Sequence, residues 1–182
     1  MASIKIANKN FMSQSGNDEP AITSNVTFPA GHVVQVVFNQ YDAFVTSTGA
    51  TMQPTGLKVQ ITPKFENSKF YVFGGGPLNA RPAGRGCGVS IYARNTLGTM
   101  SSWNLLSGKS IAGGYLYDVG SSDTWSEGNT QGYGAGPSYN LGETLEFEIY
   151  FGSIGPGTDG STTVRFGHPD FSGNIMAMEI AG

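Results

Sequence analysis

Along much of this chain apolar and polar residues alternate with a period of two, the spacing that places side chains on the two faces of a β-strand. The clearest run is Leu57-Lys58-Val59-Gln60-Ile61-Thr62, which predicts a half-buried strand stopped by Pro63. Thr144 to Phe151 is a second: Leu145, Phe147, Ile149 and Phe151 share one face, with Glu146 and Glu148 on the other. Residues 69–73, 89–94, 114–119, 162–166 and 175–180 predict further strands, with a short one at 43–46. His32 to Phe38 is apolar on both faces, which predicts a strand buried on both sides. Only Glu66-Asn67-Ser68 and its polar flanks separate the strand at 57–62 from that at 69–73, so the two predict an antiparallel hairpin. No stretch carries apolar residues at i, i+3, i+4 and i+7 over three turns. About eight strands and almost no helix are expected, arranged as an antiparallel β-sandwich or jelly roll.

Glycine, at 27 of 182 residues, punctuates this pattern. Gly74-Gly75-Gly76-Pro77 predicts a flexible segment, residues 152–160 a loop, and Thr99 to Tyr139 the least regular part of the chain. Residues 1–28 read as an arm ahead of a domain at 29–182. Ile4, Ile6 and Phe11 are scattered among Lys5, Asn8, Lys9 and Asn10, and residues 13–20 are rich in turn formers. Such an arm packs on a neighbouring subunit, docks the domain on something larger, or is a frayed terminus. The first eleven residues lack the continuous apolar stretch of a signal peptide, and no run of about 18 apolar residues predicts a membrane span.

Charge and cysteine content narrow the partners. Charged residues are only 13% of the chain and the net charge is −3. Lys58, Lys64, Lys69, Arg81, Arg85 and Arg94 lie apart, so no basic stripe for nucleic acid or an anionic membrane is expected. Cys87 is the one cysteine, which leaves no internal disulfide and no thiolate metal cluster. It lies between Gly86 and Gly88 and reads as a small residue in a tight loop.

Candidate chemistry is sparse. His32 and His168 belong to no metal-binding pattern. Ser107-Gly108-Lys109-Ser110 resembles the end of a phosphate loop, but Trp103 stands where the motif needs its first glycine. Asp118, Asp123, Glu127 and Asp159 do not have the spacing of a calcium loop. Glu146 and Glu148 could form a glycosidase pair, yet two carboxylates on one strand face read better as a solvated surface. No catalytic residue, metal ligand or cofactor is expected. The aromatic-glycine region is the best binding candidate, because Trp and Tyr give rigid apolar faces and Ser, Asn and Gly adaptable hydrogen bonds. It offers Trp125, Tyr133, Tyr139 and Tyr117 as residues for a receptor or surface glycan. Beside this stands the reading that Trp103 and Trp125 are core residues beneath long loops.

Four stretches carry a family resemblance: Pro29 to Val37, Thr55 to Lys64, Asn67 to Val72 and Ala177 to Gly182. They resemble the C-terminal β-sandwich domain of phage tail fibres and related virion proteins, which reads as a GSV-QVV strand, a TGL-V-ITP strand, an SSKI-V strand and a closing MEI. Order and spacing match across residues 29–182, with 74–140 alike only in composition. His32 replaces the usual small residue, and Phe70-Tyr71 the usual aliphatic pair. The resemblance implies a virion protein without catalytic residues, forming a homotrimer of jelly-roll-like sandwiches and binding other virion proteins. A short tail fibre would add a host-binding loop tip. A capsid decoration protein would clamp the shell instead, and a sugar-cleaving spike would need acids in a cleft.

Overall fold

The computed structural model describes residues 2–6, 8–16, 21–22, 28–42, 44–48, 51–81, 85–103, 114–118, 125–153 and 162–182. Among them are fourteen strands and no helix. They are β1 (Ala2–Ile6), β2 (Lys9–Gln14), β3 (Ala21–Ile22), β4 (Val33–Tyr41), β5 (Val45–Thr48), β6 (Gln53–Ile61) and β7 (Lys69–Arg81). There follow β8 (Arg85–Asn95), β9 (Ser101–Ser102), β10 (Gly114–Asp118), β11 (Ser126–Gly134), β12 (Leu145–Ser153), β13 (Thr163–Phe166) and β14 (Gly173–Ile180). The phosphate-loop remnant at 107–110, the acids Asp123 and Asp159 and most of the loop at 152–160 lie outside the described residues.

Strands β4 to β14 build two antiparallel sheets. One runs β10-β8-β12-β6, with β9 beside β8. The other is organised on β7: β11 lies along one edge, and the opposite edge takes β14 and then β13, backed by β4 and β5 respectively. Between the sheets, Leu57, Val59 and Ile61 of β6 and Phe147, Ile149 and Phe151 of β12 meet Phe70, Val72 and Leu78 of β7 and Phe166 of β13 in one core. Burying each of these side chains contributes about 1.5–3 kcal/mol, so the period-two pattern is what selects the sandwich. The connections from β5 through β8 and from β10 through β13 cross from sheet to sheet, as strands of a jelly roll do.

Several expectations change. The strands at 57–62 and 69–73 are not a hairpin: β6 pairs with β12, whereas β7 lies in the other sheet. Their apolar faces pack on each other across the core, which a shared sheet would forbid. Nor is Gly74-Gly75-Gly76-Pro77 a loop, because β7 runs straight through it. Glycine is required there by close approach. A methyl at Gly74 would lie 2.7 Å from the Asn174 carbonyl oxygen, one at Gly76 would lie 2.9 Å from Gly173 Cα, and one at Gly75 would run into the Gly128 carbonyl.

The region from Thr99 to Tyr139 is also more regular than its composition suggests, since β11 occupies nine residues of it. Gly128 and Gly132 face inward against Leu78 and Trp103. Trp103 is buried, with its ring 4.9 Å from that of Phe147, so for this tryptophan the core reading holds. Cys87 is buried on β8 rather than in a tight loop. Glycine-rich β11 is thus one of the strands by which the count exceeds eight.

Strands also begin before Pro29. Residues 2–22 contribute a three-stranded meander, β1-β2-β3, separate from both sandwich sheets. Asn8, just ahead of β2, is at φ 64°, a left-handed conformation that asparagine tolerates better than most residues. Ile4 and Phe11 are exposed on this sheet, and Ile6 is the last residue of β1.

Finally, β4 is not buried on both sides. It is the outermost strand of its sheet, and His32, Val33, Val36 and Phe38 are exposed. Its inward residues close the sandwich instead. Asn39 Nδ2 donates to the Lys58 carbonyl at 2.8 Å and Gln35 Nε2 to the Thr62 carbonyl at 2.8 Å. Side-chain donors thus occupy backbone acceptors on β6 and its end, blocking an edge that would otherwise recruit another strand.

Candidate functional site

The two outer faces of the sandwich differ in chemistry. On the β7 sheet, outward positions are those offset by one from the core residues. Register aligns Phe38, Met176, Phe73 and Gln131 in one row and Val36, Met178, Tyr71 and Tyr133 in the next. Seven of these eight side chains are apolar or aromatic. Phe38 is 63% exposed, Val36 51% and Tyr133 43%, while the two methionines, Tyr71 and Phe73 are half-buried. Tyr71 Oη donates to Gln131 Oε1 at 2.6 Å, which fixes that ring along the face. These residues form a contiguous, largely apolar outer face on the sheet.

On the other sheet the outward rows are polar. Glu146 of β12 stands between Arg94 of β8 and Gln60 of β6. Arg94 donates to Glu146 Oε1 through Nη2 at 2.7 Å and Nε at 3.1 Å, Gln60 Nε2 donates to Oε2 at 2.8 Å, and Lys58 Nζ lies 3.2 Å from Oε2. Glu146 is only 1% exposed. Burial pushes its pKa up, but the donors from Gln60, Arg94 and Lys58 outweigh that and leave it below the usual carboxylate value. Glu148 is also buried, and burial raises its carboxyl against the opposing hydrogen bond from Gly56 N–H at 2.9 Å. That donor is free because β6 bulges opposite Ile149. Next along the face, Tyr92 and Tyr150 stack with centroids 3.9 Å apart, and burial raises both phenols.

The expected solvated face for Glu146 and Glu148 is therefore corrected: the side chains around them cover them. Glu146 is committed to two cations and an amide. The described cavities of about 470 and 280 Å³ are lined by other residues.

A third feature lies at one end of the sandwich, where β11 starts and β13 leads into β14. Trp125 sits between Phe44, with centroids 6.1 Å apart, and His168, edge-on at 5.0 Å. Phe171 approaches His168 at 5.2 Å and is 62% exposed. The Arg165 guanidinium lies 5.9 Å above the Phe44 ring. His168 and Phe171 are placed by a tight turn through Pro169-Asp170, closed by Phe171 N–H donating to the His168 carbonyl at 3.2 Å. Gly167 N–H ties that turn to the Pro77 carbonyl at 2.9 Å.

The four aromatic residues singled out from the sequence are thus not one cluster. Trp125 is in the end cluster just described. Tyr133 belongs to the apolar face, roughly 26 Å along β11 from Trp125 at the usual strand rise. Tyr139 packs against Phe70, donates to the Phe65 carbonyl at 2.9 Å, accepts from Ser68 N–H at 3.1 Å and lines the cavity of about 470 Å³. Tyr117 is on β10, opposite Gly86. The sequence offers His168 only as a metal-ligand candidate and does not single out Phe44 or Phe171, because Phe44, Trp125 and the 168–171 turn lie far apart in the chain. Val36 and Phe38 did give a signal: a strand apolar on both faces, whose outer face has no covering layer within the described chain.

The fold and the faces define an antiparallel β-sandwich with one apolar and one charged outer surface. No family model and no curated protein matches the chain. Among solved structures, a chain from a structure of infectious bursal disease virus, Gx strain, is similar over 93% of this chain and 36% of its own, with TM-score 0.42 and 14% identity. A chain from the Gt strain of the same virus is similar over 92% of this chain and 47% of its own, with TM-score 0.22 and 11% identity. The present chain thus spans between a third and a half of the length of these neighbours.

Proposed function

We propose that this chain is a non-enzymatic structural protein of a bacteriophage particle, a short tail fibre or receptor-binding protein that works as a homotrimer. The observation that carries the reading is the apolar outer face of β11, β7, β14 and β4. Exposed Val36 and Phe38, continuous with Met176, Met178, Tyr71 and Phe73, would cost solubility in an isolated domain and suit a surface shared between copies. Burying about 800 Å² per partner is the usual scale for a specific interface. The strand-pattern resemblance over 29–182 supports the same class. Residues 1–28 serve as the attachment segment, with Ile4 and Phe11 exposed on their own small sheet as contacts for another virion protein. The end cluster at Trp125 faces the host.

Sedimentation of the purified chain and its copy number and location in the particles that carry it test the reading. A trimer present in a few copies at the tail is the expected result. Hundreds of copies on the shell would assign it to capsid decoration instead, and absence from particles would overturn a virion role.

A further inference from the structure

We propose that the end cavity lined by Pro77, Trp125, Ser126, Glu127, His168 and Phe171 binds a single pyranose ring of a surface carbohydrate. The inference rests on the host-attachment reading and gives that attachment a location and a ligand class. The cavity holds about 280 Å³, just below the roughly 300 Å³ at which small-molecule pockets begin, so it suits one ring and not a longer ligand.

Its walls combine what a sugar needs. Trp125 and Phe171 supply apolar faces for the C–H side of a pyranose. Glu127 supplies acceptors and Ser126 a hydroxyl for the ring's own hydroxyls. His168 Nδ1 accepts from Asp170 N–H at 3.1 Å and lies 3.6 Å from Asp170 Oδ2, which makes Nε2 the ring's remaining donor position. The His168–Phe171 turn, with Pro169 fixing one φ and Gly167 tied to Pro77, holds two of the rings in place before any ligand arrives.

Two other occupants fit less well. A quaternary ammonium group also favours aromatic walls beside a carboxylate. Here Arg165 already covers the Phe44 face and adds positive charge next to Trp125, which opposes a second cation. An apolar peptide side chain would desolvate Glu127 without a partner, a penalty that sugar hydroxyls avoid.

Trp103 and Trp125 are the two tryptophans, so Trp103→Phe leaves Trp125 as the sole indole reporter. Glucose, galactose, N-acetylglucosamine and tetramethylammonium are titrated into this full-length variant while its fluorescence is followed. Should it fail to fold, saturation-transfer NMR of the same probes on the unmodified chain replaces it. At least one sugar should change the emission saturably, and Phe171→Ala or Glu127→Ala should weaken binding about tenfold or more without changing the circular dichroism. No response to any sugar, a response to tetramethylammonium alone, or sugar binding that survives Phe171→Ala overturns the proposal. Particle location is measured independently: a tail protein that binds no sugar sinks this inference alone, and a sugar-binding chain absent from particles sinks the virion reading alone.

Discussion

Glu179 is a fully buried carboxylate on β14, and its replacement should be among the most destabilising single changes in the chain. Its oxygens accept from Gln35 Nε2 at 2.6 Å, Ser68 Oγ at 2.6 Å, Lys64 N–H at 2.9 Å and Phe65 N–H at 3.2 Å. Three of these donors belong to the 62–68 connection that carries the chain from β6 into the opposite sheet. Glu179→Ala strands them. Ser68 keeps a second acceptor in the Phe65 carbonyl at 3.2 Å, and Gln35 keeps the Thr62 carbonyl, so their losses are partly recovered. The two backbone donors have no such fallback, and a charged acceptor is worth about 1.5–3 kcal/mol to each. The expected loss is therefore about 3–6 kcal/mol for Glu179→Ala. Glu179→Gln, which retains one acceptor oxygen, should lose about 2 kcal/mol. For a chain of this length each kcal/mol moves Tm by roughly 2–4 °C, so the alanine variant should melt roughly 6–24 °C lower. Urea unfolding at one fixed protein concentration, followed by circular dichroism, gives the values. A loss below about 1 kcal/mol for Glu179→Ala would refute the claim that this carboxylate holds the crossover.

Gly75→Ala should prevent folding or cost more than about 3 kcal/mol, since its methyl would occupy the space of the Gly128 carbonyl; soluble yield and thermal melting report it. Phe38→Glu with Met178→Glu should convert the assembled form to monomer in sedimentation with the circular dichroism unchanged, because both side chains point away from the core. Glu148 has a folded pKa above the ordinary value of 4.5, so its favourable contribution is present below that value and is lost as pH rises through the folded pKa. Glu148→Gln, whose amide oxygen can still accept from Gly56, should therefore match or exceed the parent in stability at pH 7, and the advantage should vanish in acid. Glu146 is shifted the other way, so its contribution is present above 4.5 and is lost as pH falls through its depressed pKa. Glu146→Gln should cost about 1 kcal/mol at pH 7, since Lys58 and Arg94 are partly solvated, and progressively less in acid.

What the sequence made legible was the set of strands that alternate strictly. Leu57, Val59 and Ile61, and Leu145, Phe147, Ile149 and Phe151, point inward as their spacing requires. Strands built on glycine were illegible for a definite reason. At Gly74 to Gly76, Gly128 and Gly132 the residue type records how near a neighbouring backbone or side chain comes, and composition alone cannot separate that from a turn. Pairing was illegible for another reason. Short connections normally join partners, but the 62–68 segment leads to the opposite sheet because Glu179, more than a hundred residues later, binds it there. The end cluster has the same character: Phe44, Trp125, His168 and Phe171 converge only once β5, β11 and β13 are assembled.

The contrast between the outer faces bears on how such a domain would be arranged. The charged rows on β6, β12 and β8 are internally satisfied: Glu146 is paired on both sides, Glu148 takes the bulge donor and Tyr92 lies on Tyr150. That face gains little by meeting another surface, because its ion pairs would have to be desolvated. The β7 face has the opposite balance. Its rows end on the exposed strand β4, so covering Val36 and Phe38 removes apolar area from water at little polar cost. In an assembly built this way the β7 sheets turn inward and the charged sheets outward. The Trp125 cluster, at the end of the strands and not on either broad face, then stays open to a ligand in every copy. Strand β4 is the pivot of the arrangement. Its inner residues Gln35 and Asn39 seal the fold against edge pairing, and in such an assembly its outer residues Val36 and Phe38 would supply the contact, which would account for a sequence that is apolar on the side facing away from the core.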